Sequence, residues 1–250
     1  MRNMKCESII KGILLVFIAS IWGCDKGINS GSNKANLSVI HVAPGALPVD
    51  ILYNGVKINS TGQIGFTQST GSPGNPYLPV VAGIHLFQAT PDGINYYVNG
   101  NTSLQLNQYY SVFLYDTLVS GKTRALILSD YLSVPPDTMS SIRFLNLSPN
   151  NDTLNYVMTS LHDGVLDTMV LGYIPFVGPN PNPAVHSSFQ SIASGAYCFG
   201  VATDTNSVIF SIRPIDSLYF SGGKIYSIYT TGSILGSGSD TLRALLHQHN

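Results

Sequence analysis

Few residues in this sequence are able to do chemistry, and their spacing is the first thing to weigh. His41 and Asp50 sit in the stretch VIHVAPGALPVDILYNG, Val39 to Gly55, among apolar residues and two prolines. A carboxylate that meets an imidazole in space orients it for proton transfer. Glu7 is the only glutamate, so downstream of it carboxylate chemistry must use aspartate. An Asp-dependent hydrolase would need two such groups about 5 to 10 Å apart in a cleft. His247 and His249 share one face of a strand, but two imidazoles are too few to close a metal site, and as a C-terminal pair they are expected to fray. Gly121-Lys122-Thr123 ends like a phosphate-binding loop, yet Asp116 stands where its first glycine belongs, which predicts a hairpin turn instead. No Gly-x-Ser-x-Gly elbow occurs at any serine. These readings predict no catalytic residue, no metal ligand and no cofactor.

Two further features bear on binding and modification. Half of the 12 aspartates fall in Asp-Ser/Thr-Leu/Met triplets, whose hydroxyl residues are Thr117, Thr138, Thr153, Thr168, Ser217 and Thr241. The triplet resembles the O-glycosylation acceptor of the Bacteroidetes envelope. It is also what results when Asp ends a turn, Thr enters a strand and Leu begins the core. Two Pro/Gly/Asn-rich loops, Thr67 to Pro79 and Gly172 to Val185, carry Tyr77, Tyr173 and Phe176. Such aromatics either stack on a sugar ring or anchor a protein partner, or else fold back onto their own domain.

The N-terminus reads as an address. Arg2, Lys5 and Lys11 precede the eleven-residue apolar run GILLVFIASIW, which suits a signal peptide and is too short for a bilayer span of about 20 residues. Ile21-Trp22-Gly23-Cys24 resembles a bacterial lipobox, with Trp22 departing from its pattern. Residues 1–23 are thus expected to be a signal peptide, and 24–35 a lipidated Cys24 with a polar tether whose end-to-end distance is on the order of 18 Å. Loss of Arg2, Lys5, Lys11 and Glu7 takes the formal charge from −1 to −3, and no Lys/Arg cluster supports nucleic-acid binding. The expected location is the cell envelope, held by lipid at the outer membrane of a Gram-negative bacterium.

Composition points to an all-β body: 24 Gly, 14 Pro and 14 Tyr, with few charges from which to make amphipathic helices. The body is duplicated. LSVIHVAP (37–44) matches IRFLNLSP (142–149), Gly83 matches Gly195, and Arg-Ala-Leu recurs at 124–126 and 243–245. Seven short β-rich runs are expected in the first copy, near 37–43, 48–53, 56–59, 84–90, 94–98, 109–115 and 123–129. Asn54-Gly55 marks a type I′ hairpin. Runs apolar on both parities, such as Val112-Phe113-Leu114-Tyr115, suit strands covered on both sides. The fold expected is two tandem immunoglobulin-like β-sandwich domains, 36–134 and 140–250.

His41-Val42-Ala43-Pro44, Pro48-Val49-Asp50-Ile51, Asn54-Gly55 and Pro79-Val80-Val81-Ala82-Gly83 together resemble the bacterial domain of unknown function 4397. The resemblance is close over 36–130 and loose over 141–247. It implies a secreted or lipid-anchored β-sandwich protein in two tandem copies, the second divergent, with no activity and no catalytic residues to transfer. Aligning Pro44 with Pro149 places Asn146 opposite His41 and Asn155 opposite Asp50, which makes polar capping the expected role of both. The function expected is a non-catalytic interaction or structural module of the envelope, with envelope proteins or glycans as partners. A glycan-binding accessory of a polysaccharide uptake system is the alternative.

Overall fold

Alternation along the first strand sets the architecture. β1 (Lys34–His41) turns Ala35, Leu37 and Val39 to one face, and Ser38 and Ile40 to the other, and all five are buried. A strand apolar in both directions needs a layer on each side. The computed structural model describes residues 33–60, 62–116, 122–149, 153–162, 165–202, 210–211, 218–233 and 236–250. The expected signal peptide, Cys24 and most of the expected tether lie outside the described residues.

In the first copy, β2 (Asp50–Tyr53), β3 (Val56–Lys57), β5 (Gly83–Thr90) and β6 (Val98–Leu104) make an outer sheet in the order β3-β2-β5-β6. The inner sheet is β4-β1-β7-β8, with β4 (Leu78–Val81), β7 (Tyr109–Tyr115) and β8 (Arg124–Asp130). The second copy repeats this plan. β12 (Gln190–Ala193), β9 (Met139–Asn146), β16 (Ile225–Thr231) and β17 (Arg243–Gln248) form its inner sheet in that order. β11 (Val165–Pro175), β10 (Thr153–His162) and β13 (Gly195–Ala202) form its outer sheet, and β14 (Phe210–Ser211) and β15 (Leu218–Phe220) both pair with β13.

Strand order and register are alike in the two halves. His41 pairs with Leu114 in the parallel β1–β7 ladder, and Asn146 with Thr230 in the parallel β9–β16 ladder. Asp50 stands opposite Thr90, and Asn155 opposite Ala202. Gly83 and Gly195 open equivalent strands, both at positive φ (123° and 145°), where a side chain would strain the backbone.

The two-sheet sandwich of the sequence reading is present, with a different wiring from antibody domains. There the first and second strands pair in one sheet. Here β1 and β2 lie in opposite sheets, and β1 runs parallel beside β7. The Asn54-Gly55 turn closes β2 onto β3 with φ of 52° and 76°, as a type I′ turn requires.

Three strand expectations shift. The run at 94–98 is a turn, because Asp92 Oδ1 accepts from the backbone N–H of Ile94 and Asn95, and the strand follows at Val98. β4 was not anticipated; it is a four-residue edge strand that tolerates Pro79 because one side needs no ladder partner. β1 begins at Lys34 rather than beyond the tether, with Ala35 fully buried.

Three cores result. One fills the first sandwich, around Leu37, Val39, Ile51 and Phe87. A second fills the other, around Tyr156, Phe199 and Phe220. The third lies between the inner sheets and joins Ile40, Val42, Phe113, Tyr115, Leu126 and Leu128 to Leu145, Leu147, Val177 and Tyr229. Lys34–Asn250 is accordingly one compact unit. Thermal unfolding should therefore be a single transition with equal calorimetric and van't Hoff enthalpies. Two resolved transitions, one per sandwich, would show that the shared core does not couple them.

Candidate functional site: the polar seam between the sandwiches

The inner-sheet positions that face the other copy are apolar at one end and polar at the other. Asp130, at the end of β8, and Arg143, in β9, are 0% and 1% exposed at their side chains, with Asp130 Oδ1 2.8 Å from Arg143 Nη1. The contact is one of charge: its angle is too bent for a hydrogen bond, and Nη1 and Nη2 of Arg143 have no hydrogen-bond partner. Phe189 lies under the guanidinium, 4.5 Å from ring centroid to Cζ, and supplies a cation–π contact.

Around this pair the hydroxyls and imidazole form a directed ring. Arg143 Nε donates to Ser227 Oγ (3.0 Å), leaving the Ser227 proton for His249 Nε2 (2.7 Å). Tyr77 OH donates to Asp130 Oδ2 (2.8 Å), so its oxygen accepts from His249 Nδ1 at 2.6 Å. Ser111 Oγ also donates to Asp130 Oδ2 (2.6 Å). Donor counting thus assigns His249 as the neutral Nδ1–H tautomer. Burial, the Arg143 charge and His247 hold the His249 pKa well below its ordinary value, in agreement with a neutral ring. Burial raises the Tyr77 phenol, and Asp130 raises it further.

Equivalent positions of the duplication supply this ring. Ser38, Ser111, Asp130 and Tyr77 of the first copy occupy the positions of Arg143, Ser227, His249 and Phe189 in the second. The acid thus stands on one half and the bases on the other. A serine hydrogen-bonded to a histidine that is linked onward to an aspartate has the parts of a nucleophilic relay. Ser227 is 0% exposed, however, and its oxygen is occupied by Arg143, so this relay is sealed and acts as a joint.

Of the residues singled out from sequence, Tyr77 is buried inside the joint and offers no platform to a ligand. Phe176 packs on Tyr115 in the shared core (centroids 6.2 Å apart), while Tyr173 stays half exposed. Both loops clasp the opposite sandwich. The first brings Tyr77 against His249, and Phe66, the residue before that loop, lies 5.9 Å from ring centroid to the Cζ of Arg243. In the second, Gly178 O accepts from Tyr115 OH (2.7 Å), and the short helix α1 (Pro183–His186) lies against β8.

His41 and Asp50 cap separate turns. His41 Nε2 bonds Leu47 O at 3.2 Å, and burial lowers its pKa. Asp50 binds Lys57 (2.6 Å) and accepts from Asn59, and the Lys57 contact leads in holding its carboxyl below the usual range. The C-terminal pair does not fray: His249 N–H donates to Ile225 O, and its ring closes the seam. Thr138 and Thr241 are exposed, and Thr153 is partly buried at the start of β10. Thr117 and Ser217, the Thr168 side chain and Cys24 lie outside the described residues. Among the described residues no cluster of three His, Cys, Asp or Glu side chains is placed to hold a metal.

The sequence reading missed Asp130, Arg143, Ser111 and Ser227. One signal for Arg143 was available, since it shares parity with Leu145 and Leu147 in a strand apolar on its other face too.

Removing one charge leaves the other buried and unpaired. Arg143→Met alone should therefore destabilise by about 3–5 kcal/mol, whereas Arg143→Met with Asp130→Leu should recover most of that. Urea denaturation of both variants decides it, and equal losses would refute the role given to the pair. Stability should also fall in acid. Below pH 6.5 the unfolded chain protonates His41, His247 and His249 while the folded chain resists, with His247 held at about 4 by burial and Arg143. The stabilisation is complete above about pH 6.5 and declines toward pH 4, by up to about 1.4 kcal/mol per pH unit for each imidazole. A denaturation midpoint constant from pH 7 to 5 would contradict this.

Residues 35–157 match the family model described as "Domain of unknown function (DUF4397)", a span from β1 through β8 and β9 into β10. No curated protein matches the chain. Among solved structures, the Bacillus anthracis TIE protein aligns at 12% identity and a TM-score of 0.23, over 79% of this chain and 34% of that one. A "putative cell adhesion protein" from Bacteroides uniformis aligns at 12% identity and 0.21, over 86% and 97%. The chain spans about a third of the length of the first of these, and scores this low carry no functional meaning. Residues 35–157, which hold both Asp130 and Arg143, thus match the DUF4397 domain family, whose function is unknown.

Proposed function

We propose that this chain is a lipid-anchored envelope protein that works as a non-catalytic interaction or structural module, attached through Cys24 at a Gram-negative outer membrane. The observation that carries this reading is the sealed seam. The side chains with the chemistry of a site, Asp130, Arg143, Ser227 and His249, are withdrawn from solvent and fasten the two sandwiches into one body. The apolar run before Cys24 supports the anchor, and a family without assigned activity is compatible with the rest. Among the described residues no helix is long and apolar enough to cross a membrane, so attachment would fall to the N-terminus.

A glycan-binding accessory role is the second reading. It is favoured by a groove of about 260 Å³ between the first clasp loop and β16–β17, lined among others by Thr67, Ser69, Ser72, Tyr229 and Gln248. Three hydroxyls and the Gln248 amide beside the apolar Ile40, Pro73, Pro76 and Leu246 suit a sugar, which has both polar and apolar faces.

Crosslinking on intact cells, with mass spectrometry of what is captured, tests both. Capture of envelope or peptidoglycan-linked proteins is expected for a structural module, and an outer-membrane transporter or glycan enzymes would move the protein to the accessory class. Cys24→Ala should release the protein from the membrane fraction. Retention of that variant in membranes would refute the lipid anchor.

A further inference from the structure

The two sandwiches stand level. Thr231 Oγ1 donates to Val42 O at one end of the seam, and Asp130 meets Arg143 toward the other. β1, β7, β9 and β16 all start from that second end, and the linker from Tyr131 to Thr138 crosses it from one sandwich to the other. Pro136 O fixes the linker by accepting from Met139 N and Gly223 N.

Exposed apolar side chains concentrate on this end face. Val81 pairs with Lys34 at the base of β1, Ile84 opens β5, and Leu106 follows β6. Tyr131 and Val134 lie in the linker, and Tyr219 opposes Ala196 at the base of β13. All six are at least half exposed, at 50 to 72%. They come from both sandwiches and from the linker, far apart in sequence, so no local strand pattern accounts for them. Lys34, Lys224 and Asp137 are also on the face, and the Lys224 ammonium donates to the Asn250 main-chain oxygen. A rim of tyrosines and aliphatics with nearly balanced charge is the composition of a surface that rests in a lipid headgroup layer.

The chain itself says which surface. It enters the body at Lys34, on this same face, and Cys24 is ten residues upstream. Ten residues of chain reach at most about 35 Å even when fully extended. They would hold this end of the body, and not the opposite one, beside the bilayer that receives the lipid. We propose that the linker-side end face docks on that bilayer, with Ile84, Val81, Leu106, Tyr131, Val134 and Tyr219 entering the headgroup region. This rests on the lipid anchor proposed above and goes beyond it, since an anchor alone leaves the body free to tumble. The tether makes docking intramolecular, so weak contacts suffice.

Hydroxyl-radical footprinting of the full lipidated chain, in detergent-free phosphatidylethanolamine/phosphatidylglycerol vesicles and in solution, tests the inference. Oxidation of Tyr131 and Tyr219 should fall about threefold or more on vesicles, as expected for side chains entering the interface. Tyr96 and Tyr173, away from the face, should not change. Val81→Asp with Ile84→Asp and Leu106→Asp should abolish the protection while the protein still floats with the vesicles. Equal oxidation of all four tyrosines on vesicles would overturn docking and leave the anchor standing. Protection that is already present in solution would mean a second copy or the N-terminal segment covers the face, and would also overturn it. Absence of lipid on Cys24 by intact mass, with no flotation, would overturn both readings.

Discussion

A carboxylate from one sandwich and a guanidinium from the other meet where neither touches solvent, and the architecture is arranged around that constraint. Withdrawing two charges from water carries a desolvation penalty of several kcal/mol per ion, offset only if neighbouring dipoles complete their coordination. Ser111 and Tyr77 do this for Oδ2 of Asp130, and Ser227 does it for Nε of Arg143, while Asp130 Oδ1 and the Arg143 Nη atoms rely on their mutual charge and, for the guanidinium, on the Phe189 ring. His249 has to be neutral for the same reason, because a second cation beside Arg143 would oppose it. The apolar contacts of Phe113, Tyr229 and Leu145 then stabilise the rest of the seam.

The like wiring of the two halves sets what such a joint requires. Two identical copies packed by their inner sheets would place like residues near one another, aspartate by aspartate or arginine by arginine. Here equivalent positions carry Ser38 and Arg143, and Asp130 and His249. Complementarity between the halves replaces the self-complementarity a symmetric pair would need. The exchanged loops follow the same logic, each leaving its own sandwich just before an edge strand to hold the other half.

Local pattern carried much of this fold to the page. Asn54-Gly55 and the doubly apolar run at 112–115 described a turn and a buried sheet correctly, since each depends on neighbours within a few residues. What local pattern did not reveal depends on distance. Tyr77 in its Pro/Gly/Asn loop reads equally well as exposed or tucked in, and the choice is made by Asp130 and His249, 53 and 172 residues away. β4 escaped notice because a four-residue edge strand containing proline has no periodicity to find. The frayed end expected at His247-Gln248-His249 fails for the same reason, since its partners Ile225, Ser227 and Tyr77 are remote in sequence.

A joint of this kind has a geometric consequence for any module held at a surface. Because the sandwiches are level and fixed, the position of one end determines the position of the other. β1 climbs about 23 Å at the usual strand rise, from Lys34 at the base to His41. The groove beside the first clasp loop is reached near the top of that climb, where Ile40 meets Ser69. A body seated by its linker end would hold this groove and the half-exposed Tyr173 away from the membrane, on the side open to a partner. Two sandwiches on a flexible linker would lose that relation, and so the buried charges at Asp130 and Arg143 have a bearing on what the far end can meet.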